Sequence, residues 1–147
     1  MMKIAIACDH GAVDLKNALV AHLEGRGFAV TDFGTHTTDS CDYPDVIAPA
    51  ARAVANGQCD RGIVLCTTGI GVSIVANKIK GIRCALLFDP ETARTTRQHN
   101  DTNMMALGAK SVTTEVAKQI ADNWLDTPFS FDERHCRRIS KLMALEE

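Results

Sequence analysis

The six cysteines of this 147-residue chain contain no C-x-x-C pair. The chain is also too long and too apolar to be a small disulfide-stapled secreted scaffold. We therefore read the cysteines as free thiols of a cytoplasmic protein. Excess charge is missing as well: 16 Lys and Arg stand against 18 Asp and Glu, a net charge of -2. No broad basic field is present to attract nucleic acid or an anionic membrane, so neither is expected as a partner. Long hydrophobic runs are absent. The first apolar run, Lys3 to Cys8, stops at Asp9-His10, too short for the core of a secretory leader and far too short to span a bilayer. No internal repeat, low-complexity tract or linker interrupts the chain.

Several familiar site signatures are lacking too. No G-x-x-x-x-G-K-[ST] occurs, so there is no P-loop. Gly69-x-Gly71 lacks the third glycine of the dinucleotide fingerprint, because position 74 is Ile. Cys66 is not followed by an arginine in its loop, where position 72 is Val, which argues against a cysteine-phosphatase loop. Cys8 with His10, and His135 with Cys136, lack the paired spacing of a zinc site.

What remains is ordinary globular material: 46% hydrophobic and 23% charged residues. The length suits one domain, 1–147, with a sizeable core. Short apolar runs read as strands at Lys3–Cys8, Phe28–Phe33, Gly62–Cys66, Ile82–Phe88 and Asn103–Leu107. Helical spacing or capping residues place helices at Val13–Gly25, Tyr43 to about Gly57, Gly69–Lys78, Pro90–His99 and Glu115–Leu125. A last helix, about 131–145, follows them and could fold back on the sheet or onto a partner subunit. Five strand–helix alternations predict a doubly wound α/β domain, with a five-stranded parallel sheet between two helical layers. Continuous apolar strands suit a sheet covered on both faces.

The chain is organised around Cys66-Thr67-Thr68-Gly69-Ile70-Gly71, which reads as strand end, tight turn and helix start. Ligands of open α/β sheets bind at the carboxyl ends of strands. Glycines let backbone N–H groups approach a ligand there, and a helix N-terminus favours negative charge. A thiol so placed can have a lowered pKa and serve as base or nucleophile; a buried cysteine beside a glycine turn is the plainer alternative. Asp9-His10 ends the first strand, as a site or as a turn cap. His99-Asn100-Asp101-Thr102-Asn103 precedes the fifth strand, in a loop that could reach the same edge or simply close a helix. A Cys-His hydrolase pair, Cys66 with His99, stays open. Arg134 and Arg138, four apart on the last helix, project together and can clamp a phosphate, or pair with Asp132 and Glu133 in solvent.

Taken in order, Ala7-Cys8-Asp9-His10-Gly11, Asp42-Tyr43-Pro44, Cys66-x-Thr68-Gly69-Ile70-Gly71, Ala76-Asn77-Lys78, Gly81-Ile82-Arg83, Arg97 to Asn103 and Arg134-His135-x-x-Arg138 resemble the type B ribose-5-phosphate isomerase family, which includes galactose-6-phosphate isomerase subunits. The resemblance implies a three-layer α/β/α Rossmann-like sandwich. It implies a homodimer, or a dimer of dimers, with active sites at the subunit interface. The implied reaction is aldose–ketose isomerisation of a small-molecule sugar phosphate through an enediolate, without metal or other cofactor. By the same resemblance, Cys66 moves the proton and Thr68 assists at the oxygens. Backbone N–H groups from Thr67 through Gly69 to Gly71 hold the enediolate. His99, with Asp9 close by, opens the sugar ring. His10, Arg134 and Arg138 hold the phosphate, and Tyr43 and Asn100 contact substrate. The chain departs from the family's usual pattern at Thr67, where glycine is common, and at Lys110, where arginine is common. Ribose 5-phosphate is the simplest substrate; a tetrose or hexose phosphate, or a non-catalytic sugar-phosphate-binding module, are the alternatives.

Overall fold

Runs too short and too apolar to make amphipathic helices become the strands here, and the stretches between them become the helices. In chain order the elements are β1 (Lys3–Cys8), α1 (Val13–Gly25), β2 (Ala29–Asp32), α2 (Tyr43–Ala55), β3 (Arg61–Cys66) and α3 (Ile70–Lys78). They continue with β4 (Cys84–Leu86), α4 (Pro90–Asn100), β5 (Met104–Gly108), α5 (Thr114–Asp126) and α6 (Glu133–Met143). This computed structural model describes residues 1–146; residue 147, the last of the expected domain, lies outside them.

All five strands pair in parallel, in the order β2-β1-β3-β5-β4. Successive side chains of a strand point to opposite faces, and both faces here are dry. Ile4, Ile6, Ile63, Leu65, Met105 and Leu107 pack with α1 and α5 through Leu19, Leu23, Ile120 and Trp124. Ala5, Ala7, Val64, Cys66 and Ala106 pack with α2 and α3 through Ile47, Ala50, Ala51, Val72 and Ala76. The result is the expected three-layer α/β/α sandwich. Lys16 of α1 is fully buried and donates to both carboxylate oxygens of Asp32 at 2.8 and 2.9 Å, tying α1 to the end of β2.

Several elements are a residue or two shorter at one or both ends than the sequence suggests, and two of the differences have a visible cause. The fourth strand spans only Cys84–Leu86, not Ile82–Phe88. It lies at the sheet edge, and side chains replace part of its ladder. The Arg83 N–H donates to Asn103 Oδ1, and the Cys84 N–H to Asn77 Oδ1, while Asn77 Nδ2 donates back to the Cys84 carbonyl. The last helix begins at Glu133 rather than Phe131, because Phe131 sits at φ +58°, outside helical space. That helix folds back on its own chain. It packs on α4, Arg83 reaches Met143 Sδ at 3.4 Å, and the Glu146 carboxylate accepts from the Gly81 N–H at 2.9 Å.

Gly69 caps α3 at φ +78°, and a Cβ there would lie 2.6 Å from Leu86 Cδ1 and 2.8 Å from the Leu107 backbone carbon. We expect Gly69→Ala to cost about 1–3 kcal/mol from left-handed strain alone, with the collision adding to it. A thermal unfolding midpoint unchanged from wild type would refute this.

Candidate active site

The first cluster lies at the carboxyl edge, where β1 and β3 end side by side. The Gly69 N–H donates to Cys66 Sγ at 3.1 Å, so the first turn of α3 aims a donor at the sulfur. Thr68 Oγ1 stands 4.0 Å from that sulfur and accepts from the Ile70 N–H at 3.2 Å. Two of the five N–H groups of the loop are therefore engaged. Those of Thr67, Thr68 and Gly71 have no partner among the described residues. The loop after β5 braces the turn: the Ala109 N–H donates to the Cys66 carbonyl and the Lys110 N–H to the Thr67 carbonyl. Nothing in the spacing of Lys110 marked it as a neighbour of Cys66; only the β3–β5 pairing brings it there.

Asp9 is buried, and its Oδ1 accepts from the Gly11 N–H at 2.8 Å, so it closes its own turn as well as facing the site. His10 Nδ1 accepts from the Cys41 N–H at 3.3 Å, which leaves Nε2–H of the neutral ring as its free donor. A Cβ on Gly11 would overlap the Thr67 hydroxyl, so the Thr67 side chain occupies the space between the ends of β1 and β3. Tyr43 lies over Gly71: a Cβ there would sit 2.9 Å from its ring. Cys8 sits under this edge with its thiol pushed up to about 11, chiefly by burial, and it stays protonated near neutrality.

The second cluster lies elsewhere. His99, Asn100, His135 and Arg138, with Ile139 and Leu142, line a hollow of about 180 Å³. The His99 and His135 rings stack with centroids 4.4 Å apart. Arg97, Asp101 and Asn103, which flank His99 and Asn100 in the motif, prove to be the frame. Arg97 is buried and donates to Asp101 Oδ1 and the Thr102 carbonyl, while Asn103 binds the Arg83 N–H and the Gly81 carbonyl. On α6, Arg137 pairs with Glu133, whereas Arg134 and Arg138 are exposed and make no ion pair among the described residues.

These clusters do not meet within one chain. The strands are parallel, so α4 starts at the carboxyl edge after β4 and returns to the amino edge. His99 and Asn100 therefore end up near the start of β3, where the Gly62 N–H bonds the Asn103 carbonyl. Asp9 and Cys66 lie at the other end of strands about 17 Å long. The loop holding His99 does not reach the carboxyl edge, as the sequence had allowed, and His99 is not close to Asp9 within one chain. Cys66 and His99 are likewise no hydrolase pair within one chain.

His135 appears in the sequence only as a rejected metal partner of Cys136 and as part of the Arg134-His135-x-x-Arg138 motif, with no role in the site. It is 5% exposed, and its Nδ1 lies 2.7 Å from Ser130 Oγ. Burial holds it below the ordinary histidine range, helped by His99, Arg134 and Arg138 and opposed by Asp132. A histidine whose folded value is depressed binds more protons when unfolded. Its stability contribution is complete above the ordinary value of 6.5 and is lost as pH falls below it toward the folded value. Between neutrality and about pH 5, urea midpoints of the wild type should fall more steeply than those of His135→Phe; equal slopes would sink this assignment.

Among the described residues no three His, Cys, Asp or Glu side chains gather as a metal-binding group, and no helix is long and apolar enough to cross a membrane.

The sequence model described as Ribose/Galactose Isomerase matches residues 4–142. Ribose-5-phosphate isomerase B of Escherichia coli K12 is 45% identical over 147 residues, covering 100% of this chain and 98% of its own length. The D-erythrulose-4-phosphate isomerase of Pectobacterium atrosepticum is 44% identical, over 88% of this chain and 86% of its own. Among solved structures, Clostridium thermocellum ribose-5-phosphate isomerase B superposes with a TM-score of 0.96 at 47% identity, over 99% of this chain and 97% of that one.

Proposed function

The chain belongs to the ribose/galactose isomerase family, and on that premise we propose that it interconverts ribose 5-phosphate and ribulose 5-phosphate at sites built by two copies of the chain. It is an aldose–ketose isomerase acting on a sugar phosphate. The observation that carries the finer reading is the Cys66 turn, where a thiol, a hydroxyl and three unpartnered N–H groups converge.

In this reading the Cys66 thiolate takes the C2 hydrogen of the open-chain aldose. The C–H electron pair becomes the enediolate double bond, and the carbonyl oxygen gains the charge. The free N–H groups of Thr67, Thr68 and Gly71 meet that oxyanion, and the Thr68 hydroxyl assists proton movement between the oxygens. Cys66 then returns the proton to C1, so the step consumes no cofactor. The phosphate, remote from the reacting carbons, supplies binding energy for orientation. His10 holds it from the same chain.

His99, Asn100, Arg134 and Arg138 come from the second copy in this reading. Its support is the separation of the two clusters, together with the unpaired arginines and an exposed apolar face beside the Cys66 turn. Ile70 and Ile74, one turn apart on α3, are 51% and 55% exposed, and Phe88 is 52% exposed. A partner seated on α3 would bring its own His99 to the Cys66 loop and cover these side chains.

One observation favours a second reading, a four-carbon substrate: the Thr67 side chain takes up room against Gly11. The test is a panel of four-, five- and six-carbon aldose and ketose phosphates in deuterated water, followed by NMR. Fastest turnover of ribose 5-phosphate is expected. Turnover of a tetrose phosphate alone would keep the chemistry and move the substrate. No exchange with any sugar phosphate would overturn the assignment.

A further inference from the structure

We propose that His135 is the positioning residue for His99, a stacked ring that fixes the angle from which His99 meets the sugar. The inference rests on the reading of His99 as the ring-opening group. Ser130 Oγ accepts from the Asp132 N–H at 3.1 Å and lies 2.7 Å from His135 Nδ1. The hydroxyl keeps a second lone pair and its own proton, so it partners Nδ1 in either tautomer: it donates to Nδ1 when the ring proton is on Nε2 and accepts when it is on Nδ1. The tether works because Phe131 takes φ +58° and turns the chain so that Ser130 faces the start of α6. Phe129 closes the side, its ring centroid 6.5 Å from that of His135.

His135 is thus held by a hydroxyl on one edge and by helix α6 through its backbone. Its ring face is presented to His99 at 4.4 Å and 32°. His99 itself stands in the last turn of α4 and has no side-chain hydrogen bond among the described residues. The stack is therefore what orients it. A neutral neighbour also suits a group that must exchange a proton, since a second cation at this distance would oppose protonation of His99. Titratable and charged groups facing His135 are His99 from α4 and Asp132, Arg134 and Arg138 from α6 and its cap.

Ring opening and proton transfer can be read separately. Ribose 5-phosphate is a cyclic hemiacetal and must open before it isomerises. Ribulose 5-phosphate has no ring to open, and exchange of its C1 hydrogen with deuterated solvent needs only binding and Cys66. For His135→Ala we expect ribose 5-phosphate turnover to fall about tenfold or more, with ketose exchange kept within about threefold of wild type. His135→Phe keeps a ring face against His99 but loses the Ser130 tether, and should lose clearly less ribose 5-phosphate turnover than His135→Ala. Equal loss of both rates in His135→Ala would reduce His135 to a packing residue and overturn the proposal. So would unchanged turnover, or a loss in His135→Phe as large as that in His135→Ala. Wild-type protein showing neither turnover nor exchange would instead remove the functional reading beneath it.

Discussion

Cys66→Ala should lower both ribose 5-phosphate turnover and deuterium exchange at C1 of ribulose 5-phosphate by about 10³-fold or more, the range expected for removing a positioned proton-transfer group. The reason is local. Cys66 is 7% exposed at the end of β3, with the Gly69 N–H directed at its sulfur and Thr68 Oγ1 beside it. No other group of that turn has a proton-accepting lone pair in the same place. Cys66→Ser should fall nearly as far, because a hydroxyl is a far weaker base at neutral pH, yet it should fold normally, since one heavy atom replaces another in the same pocket. Circular dichroism melts would confirm the fold, and NMR in deuterated water would give both rates. A Cys66→Ala protein retaining more than about a tenth of wild-type exchange would place the base elsewhere.

Mixing two inactive variants should restore activity. In the proposed two-copy arrangement, Cys66→Ala and His99→Ala homodimers would each lack one half of every site. If each site takes Cys66 from one copy and His99 from the other, a hybrid dimer has one site with both losses and one with neither. Random exchange in an equimolar mixture then gives about a quarter of wild-type activity, since half the dimers are hybrid and half of their sites are intact. Were both groups drawn from one chain, every site would lack something and the mixture would stay silent. The variants would be mixed, unfolded in urea, refolded together and assayed. The prediction comes from the sheet itself: β1 and β3 end at one edge, and α4 delivers His99 to the other. No side-chain rotation crosses strands about 17 Å long.

The contrast between the Cys66 turn and the His99 hollow shows what each level of description decides. The order of strands and helices was legible because a parallel sheet buried on both faces demands unbroken apolar runs, and β1, β3 and β5 have them. The Cys66 turn was legible because its constituents are contiguous: strand end, thiol, glycines and helix start follow within six residues. The short β4 was not, because its edge is closed by the Asn77 side chain, a contact across seven residues that hydropathy does not register.

Residues near in sequence were also misleading as to role. In Arg97–Asn103 the charged and amide side chains mostly hold the turn, and only His99 and Asn100 face the hollow. His135 stood in the Arg134-His135-x-x-Arg138 motif without a role; its tether to Ser130 and its stack on His99 exist only once α6 folds back against α4. The sequence by itself therefore determined the layers and the chemistry of one turn, since both depend on neighbours along the chain. The tertiary structure alone decided that the turn and His99 stand at opposite ends of the sheet, because that follows from the direction in which a helix returns after a parallel strand.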